Sequence, residues 1–133
     1  MKTVKCPECG SGLKVVFKDE SFEGWKKCNK CGSFSFVIAD DVRAEAVSLK
    51  SLFENAKDKK RLAEAIDYLL THGGIAFIDE LLFHVGKKVE PDLTVFEKYG
   101  VIKRVKDSYE INKELVDELE AHTLSTLNKF KEI

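Results

Sequence analysis

Apolar and polar residues alternate at the start of residues 33–38 and β-forming residues cluster at residues 13–18, whereas apolar residues three and four apart recur in the remainder. Alternation predicts strands, and the wider spacing predicts helices. The predicted strands of the first part are residues 13–18, 22–27 and 33–38. Phe34, Phe36 and Ile38 share one face of the last strand, and we expect them to form a small core with Phe17 and Trp25. Packing is favoured for these rings over the stacking of nucleic-acid bases.

The remainder of the chain is predicted to be mainly helical, because apolar stripes are bounded by start and stop signals. The predicted helices are residues 41–57 (after an Asp40-Asp41 cap), 59–72, 76–85, 91–99 and 113–131. Asp58 is a suitable N-cap, and Pro91 suits a first helical position. Residues 101–106 and 109–111 are predicted strands of a hairpin. Three helices followed by a hairpin is the order of a winged helix-turn-helix.

The fold class predicted from this order is α+β. An N-terminal β module covers residues 1–40, and a connecting helix covers residues 41–57. The winged helix-turn-helix covers residues 58–112, and a C-terminal helix covers residues 113–133.

The only four cysteines form two C-x-x-C pairs, Cys6/Cys9 and Cys28/Cys31, and a glycine follows each pair. Glycine tolerates positive φ, which is required just after a tight turn that directs two sulfurs at one metal. Two such turns at hairpin ends bring four thiolates into a tetrahedral site. The pattern predicts a zinc ribbon with one structural zinc ion and no sulfur left for catalysis. A ribbon of this size has too small a core to fold without its metal.

Three other chemistries compete for the four cysteines. Disulfides are disfavoured, because nothing in the sequence indicates secretion. A thioredoxin-like redox pair needs one C-x-x-C at the start of a helix, not two pairs in a β context. Iron in the same cage of four sulfurs, as in rubredoxin, stays open as the less favoured metal.

Composition limits the possible partners and the location of the protein. The formal net charge of −1 gives no general attraction to nucleic acid or acidic lipid. No apolar run is long enough for a signal peptide or a membrane span, so we expect a cytoplasmic protein without a membrane partner. Charged residues are abundant and Gln is absent, a bias typical of hyperthermophiles, which predicts an archaeal source.

Short motifs in the helical part resemble the archaeal and bacterial winged-helix families. These motifs are Phe77-Ile78-Asp79-Glu80-Leu81-Leu82, Tyr99-Gly100-Val101-Ile102-Lys103-Arg104 and Tyr109-Glu110-Ile111. The cysteine pairs resemble the zinc ribbons of the transcription machinery over residues 4–39. A zinc ribbon joined to a winged helix is similar to archaeal transcription proteins such as transcription factor E, although here the two parts stand in the opposite order.

The winged-helix resemblance implies a recognition helix at residues 91–99 and a wing at residues 103–109. The expected phosphate contacts are Lys87, Lys88, Lys103, Arg104 and Lys106, and the expected base-facing residues are Thr94 and Lys98. Asp92 and Glu97 lie on the same helix and Glu90 just before it, and these acids would repel phosphates. An ordinary solvated surface explains the lysines equally well.

Asp19-Glu20, between the two cysteine pairs, resembles the acidic pair of transcript-cleavage factors. In that family the pair helps to hold a catalytic metal, and two adjacent carboxylates suit Mg²⁺. The spacing here is shorter than in that family, and its Gln-x-Arg signature is missing. A solvated surface turn is the alternative, and it is favoured.

Two functions are predicted ahead of the others. The first is a DNA-binding transcriptional regulator that dimerises through its C-terminal helix. The second is a protein-interaction module that docks on RNA polymerase or transcription-factor subunits. An iron electron carrier is a third hypothesis. Enzyme activity is not expected, because no nucleophile–base pair or phosphate-binding loop is present.

Overall fold

The computed structural model describes residues 2–15 and 21–131, and the chain divides into two compact units, Met1–Ser51 and Leu52–Ile133. Strands dominate the first unit and helices the second, so the predicted α+β class is confirmed. Phe17, which is expected in the core of the first unit, lies outside the described residues.

The first unit contains two antiparallel sheets, and helix α1 starts at its end. The elements are β1 (Lys2–Lys5), β2 (Gly12–Val15), β3 (Phe22–Lys27), β4 (Phe34–Ala39), β5 (Ala44–Ser48) and α1 (Leu49–Glu54). β1 pairs with β2, and the other strands form a sheet in the order β3-β4-β5. Strand β1 is not among the predicted elements. It has four residues, too few for a clear periodic pattern.

The core of the first unit lies on the face of β4 opposite to the predicted one. Val37 and Ala39 are fully buried, and they cluster with Val4, Leu13 and two of the cysteines. Phe36 lies on the other face, where its ring meets that of its cross-strand partner Trp25 edge-on at 5.6 Å. Both faces of β4 are therefore covered, so alternation along this strand does not identify the core face.

The prediction of a helix over residues 41–57 is wrong for its first half. Ala44–Ser48 is strand β5, which pairs with β4, and the helix is confined to Leu49–Glu54. Asp40 does not cap a helix, because its carboxylate accepts the N–H groups of Val42 and Arg43 in the turn between the strands. Val42 is 96% exposed and belongs to no apolar stripe. Cross-strand pairing, a non-local effect, overrides the helical spacing here.

The second unit follows the predicted order of helices and strands, with one strand added. Its elements are α2 (Lys59–Thr71), β6 (Ile75–Phe77), α3 (Ile78–Val85), α4 (Glu90–Lys98), β7 (Ile102–Val105), β8 (Ser108–Ile111) and α5 (Val116–Lys131). The strands form an antiparallel sheet in the order β6-β8-β7. A single 3₁₀ turn, Lys87–Val89, precedes α4, and another, Lys113–Leu115, precedes α5.

Helix α2 forms the centre of the second unit. Asp58 caps it by accepting the N–H of Arg61, as the sequence predicts. Its inner side buries Leu62, Ile66 and Leu69 completely, and helix α5 packs along it. Strand β6 replaces the predicted first residues of the third helix, because Ala76 faces inward beside its partner Tyr109 on β8.

Candidate metal centre

Two loops of the same design carry the four cysteines. The first knuckle, residues 6–11, joins β1 to β2, and the second knuckle, residues 28–33, joins β3 to β4. Each closes with two backbone hydrogen bonds, in which the glycine N–H donates to the first cysteine carbonyl and the first cysteine N–H donates to the serine carbonyl. Gly10 has φ +79° and Gly32 has φ +77°, so both turns need the left-handed conformation that the sequence predicts.

The knuckles bring the four sulfurs together from opposite sides. Cys6 Sγ lies 3.8 Å from Cys31 Sγ, and Cys9 Sγ lies 3.6 Å from Cys28 Sγ. All four ligand atoms lie within 4.8 Å of one another. A tetrahedron with metal–sulfur bonds of about 2.3 Å has edges of about 3.8 Å. The four sulfurs therefore fit one tetrahedrally bound metal ion, and four thiolates are a donor set that suits zinc or iron.

The cysteines form no disulfide, since all four are free. A thioredoxin-like pair requires the start of a helix, whereas both pairs here lie in hairpin turns. The disulfide and redox alternatives therefore do not describe this site.

Each knuckle has one buried cysteine and one exposed cysteine. Cys6 and Cys28 are buried, each 2% exposed, whereas Cys9 and Cys31 are exposed. The serine that ends each knuckle contacts the exposed sulfur of its own loop: Ser11 Oγ is 2.9 Å from Cys9 Sγ, and Ser33 Oγ is 2.8 Å from Cys31 Sγ. These serines are absent from the predicted site residues, although their repeat at one offset, C-x-x-C-G-S, is a visible signal in the sequence.

Hydrogen bonds to the sulfurs change how readily the thiols ionise. The hydroxyl of Ser11, followed by the backbone N–H groups of Cys31 and Lys30, lowers the pKa of Cys28 from 9.0 to about 6. The hydroxyl and N–H of Ser11 also lower the pKa of Cys9. Since metal ligands must be thiolates, these donors prepare two of the four sulfurs for binding.

The pKa of the Cys31 thiol is shifted in the opposite direction. The hydroxyl and the N–H of Ser33 lower its pKa, but partial desolvation and the neighbouring sulfurs of Cys28 and Cys9 outweigh these effects, and the pKa is raised. Four sulfurs in one cage cannot all carry charge at low cost, and a bound cation removes this conflict.

The first knuckle is tied to the start of helix α1. Glu8, one of the two residues between its cysteines, accepts a hydrogen bond of 2.5 Å from the buried hydroxyl of Ser48 and lies 4.0 Å from the ammonium of Lys50. The same Ser48 hydroxyl accepts the N–H of Ser51 and so caps α1. No local sequence pattern indicates this contact, because 40 residues separate Glu8 from Ser48.

The acidic pair Asp19-Glu20, considered as a second metal ligand set, lies outside the described residues. In the described part of the chain, the cysteines are the one group of three or more metal-ligating side chains that converge.

The residues predicted to contact DNA are exposed without exception. Lys87 and Lys88 lie in the turn before α4, Thr94 and Lys98 lie on α4, and Lys103, Arg104 and Lys106 lie on the β7–β8 hairpin. Lys103, Arg104 and Glu97 line one cleft of about 500 Å³ beside the hairpin. Tyr109, and then Glu97 and Glu90, raise the pKa of Arg104, so this cation lies close to two carboxylates.

Asp92 is not on the exposed side of α4, contrary to its expected position among the acids that face DNA. It is 4% exposed, and its carboxylate accepts the backbone N–H groups of Lys57 and Asp58. A buried carboxylate needs such donors, and here they come from the loop before α2. Thr94 and Lys98 stay on the solvent side.

No helix in the part of the chain described here is long and apolar enough to cross a membrane. Comparisons with protein-family models, curated proteins and solved structures yield no match to this chain.

Proposed function

We propose that this chain is a zinc-ribbon, winged-helix protein that binds duplex DNA and regulates transcription. The observation that carries this proposal is the order of elements in the second unit: α2, β6, α3, α4 and then the β7–β8 hairpin. Its sheet order, β6-β8-β7, suits a winged helix, in which a hairpin follows the recognition helix. In this arrangement α4 is the recognition helix and the β7–β8 hairpin is the wing.

The charges near α4 support DNA binding more than the sequence alone does. The carboxylate of Asp92 is buried and accepts two backbone N–H groups, so it does not face a phosphate on the solvent side of α4. Thr94 and Lys98 face solvent on α4, and Lys103 and Lys106 are exposed on the hairpin. Glu90 and Glu97 lie close enough to Arg104 to raise its pKa, so part of the local positive charge is offset. We therefore expect weak affinity that depends strongly on salt.

The first unit has a structural role in this proposal. Four thiolates consume every cysteine of the chain, so a metal bound there has no open position for a substrate. Zinc is the proposed ion, since it prefers closed tetrahedral sulfur sites of this kind. Elemental analysis of the purified protein is expected to give one zinc per chain, whereas a red protein with one iron per chain would identify an iron centre instead.

Fluorescence anisotropy with a labelled duplex tests the proposal directly. Affinity is expected to be measurable at about 50 mM salt and to fall steeply towards about 200 mM, because binding releases counterions from the phosphates. A single-stranded oligonucleotide of the same sequence serves as the comparison. No binding at low salt, with metal and fold verified, rules DNA binding out.

A docking role on RNA polymerase or transcription-factor subunits is the second candidate, and exposed aromatic rings favour it. Phe83 on α3 is 88% exposed and Phe77 on β6 is 58% exposed. Contiguous exposed apolar patches mark interaction surfaces, and we propose that these two rings contribute to one. Surface plasmon resonance with an archaeal RNA polymerase tests this candidate, with Phe83→Ser as the surface variant and Glu120→Ala as its control. Equal binding of the wild type and Phe83→Ser contradicts it.

Dimerisation through helix α5 is also part of the proposal. Leu124 is 50% exposed and Phe130 is 39% exposed on this helix, although its Leu119 is buried within the unit. Analytical ultracentrifugation of the wild type and of Leu124→Ser tests whether two copies associate through these side chains. A wild type that stays monomeric at high concentration contradicts dimerisation.

A further inference from the structure

Two serines, Ser11 and Ser33, occupy equivalent places beside the sulfur cluster. Each stands two residues after the second cysteine of its knuckle. Ser11 Oγ lies 2.9 Å from Cys9 Sγ and 3.3 Å from Cys28 Sγ. Ser33 Oγ lies 2.8 Å from Cys31 Sγ and 3.9 Å from Cys6 Sγ. Each hydroxyl therefore contacts one sulfur of its own knuckle and one sulfur of the opposite knuckle.

The direction of these hydrogen bonds follows from the chemistry of a metal site. A thiolate that binds a metal has no proton and can only accept, whereas a hydroxyl has one proton to donate. Ser11 donates mainly to Cys9 at 2.9 Å and shares the same proton more weakly with Cys28 at 3.3 Å, whereas the 2.8 Å contact assigns the proton of Ser33 to Cys31. A hydrogen bond to a charged acceptor is about twice as strong as one between neutral groups.

The sulfur nearest to each hydroxyl is the exposed one of its knuckle. Cys6 and Cys28 are 2% exposed and are covered by the core of the unit, whereas Cys9 and Cys31 face solvent. Water, chelators and oxidants reach an exposed thiolate first. A hydroxyl that donates to such a sulfur engages one lone pair of the sulfur and fixes the orientation of the cysteine side chain.

We propose that Ser11 and Ser33 are positioning residues of the metal centre, each donating an O–H···S hydrogen bond to the exposed ligand of its own knuckle. This proposal rests on the four cysteines holding a metal ion. The hydroxyls fix the orientation of Cys9 and Cys31, disperse part of their negative charge and slow the loss of the metal. Groups that orient metal ligands in this way change metal affinity by about 10–100-fold when they are removed.

The test uses the full chain loaded with Zn²⁺ or with Co²⁺, whose absorption reports the sulfur ligands. The variants are Ser11→Ala, Ser33→Ala and the double variant, each paired with the corresponding Ser→Thr change. Ser21→Ala, an exposed serine of the same unit outside both knuckles, is the matched control. Zn²⁺ affinity is measured by competition with a chromophoric chelator.

Three results are expected. The double alanine variant loses about 10–100-fold in Zn²⁺ affinity. Its sulfur-to-cobalt charge-transfer bands move to longer wavelength, because a thiolate without a donated proton releases its electrons more easily. The threonine variants, which keep the hydroxyl, and Ser21→Ala retain wild-type affinity and band positions.

Other outcomes overturn the proposal. Alanine variants with wild-type affinity and unmoved bands refute it, and so do threonine variants that behave like alanine, since volume and not the hydroxyl then matters. If the alanine variants fail to fold even with excess Zn²⁺, the threonine variants are compared with the wild type. Unmoved cobalt bands then support the role of the hydroxyl, and shifted bands refute it. A wild-type chain that binds neither ion is a different result, because it refutes the metal site itself.

Discussion

The carboxylate of Asp92 accepts the backbone N–H of Asp58 at 3.0 Å, and its other oxygen accepts the N–H of Lys57 at 2.9 Å. Asp58 in turn caps helix α2 by accepting the N–H of Arg61 at 3.1 Å. The two acidic side chains thus form a chain of hydrogen bonds from α4 to the start of α2. The buried acid on α4 fixes the loop, and the loop acid starts the central helix of the second unit.

Replacing Asp92 by Ala is expected to destabilise the second unit by about 3 kcal/mol, because two backbone N–H groups lose the carboxylate that accepts their hydrogen bonds. Asp92→Asn is expected to cost less, since its amide oxygen can still accept one of the two bonds. Urea unfolding followed by far-UV circular dichroism measures both changes. Glu120→Ala, at an exposed position of α5, is the control and should change stability by less than about 0.5 kcal/mol.

A cost below about 1 kcal/mol for Asp92→Ala contradicts this account of the contact. It would mean that water reaches both N–H groups once the carboxylate is gone.

Removal of the metal is expected to unfold the first unit and to leave the second folded. The first unit has a small core of which two cysteines are part, so metal binding supplies much of its folding free energy. Trp25, the only tryptophan of the chain, lies in this unit against Phe36 and reports its packing. A chelator should move its fluorescence to longer wavelength, while the helical circular dichroism signal changes little.

Cys28→Ser should reproduce the effect of the chelator without any added reagent. Simultaneous loss of the tryptophan and helical signals would show that the two compact units unfold as one.

Metal affinity is expected to fall with decreasing pH, and more steeply below about pH 6. The pKa of Cys28 is lowered from 9.0 to about 6, chiefly by the hydroxyl of Ser11, so this sulfur is a thiolate above that pH. Below it, the sulfur regains a proton that the metal must displace. The loss of affinity then steepens by about tenfold per pH unit.

The sign for stability follows from the same shift. In the unfolded chain Cys28 keeps its proton up to pH 9.0, so the free energy that its thiolate contributes to folding is complete above that pH and is lost as the pH falls through about 6. Zn²⁺ competition titrations across pH measure the steepening. Ser11→Ala should move it to higher pH and Ser21→Ala should not; equal profiles for all three proteins contradict the assignment.

The exposed cations of the β7–β8 hairpin are expected to contact phosphates. Changing Lys103, Arg104 and Lys106 together to Ala should weaken duplex binding similarly for all sequences. The slope of log affinity against log salt should decrease by about 0.9 for each phosphate that the variant no longer neutralises. Lys129→Ala on helix α5 is the matched control. A variant with unchanged affinity and slope excludes the hairpin from the DNA interface.

The parts of the structure that local chemistry decides are predictable from the sequence. The glycines after each cysteine pair adopt the positive φ that the turns require, and Asp58 caps α2 as expected. Residues 44–48 are not predictable in the same way, because a strand there depends on pairing with β4. The position of Asp92 is likewise decided by N–H groups 34 and 35 residues away, which no local pattern contains.

The metal site shows the same division between local and distant causes. The spacing of the cysteines predicts the ligands, because each pair needs only its own turn. The approach of the two knuckles, and hence the second sulfur within reach of each serine, depends on how β1–β2 and β3–β4 pack together.

The hydroxyl of Ser48 serves two partners at once, since it donates to Glu8 of the first knuckle and accepts the N–H of Ser51 in helix α1. When the knuckle loosens, the hydroxyl loses the acceptor that fixes its rotation, and the first turn of the helix begins to fray. The amide proton of Ser51 then exchanges with solvent faster. Hydrogen exchange at this one backbone position therefore reads metal occupancy from a helix that holds no ligand.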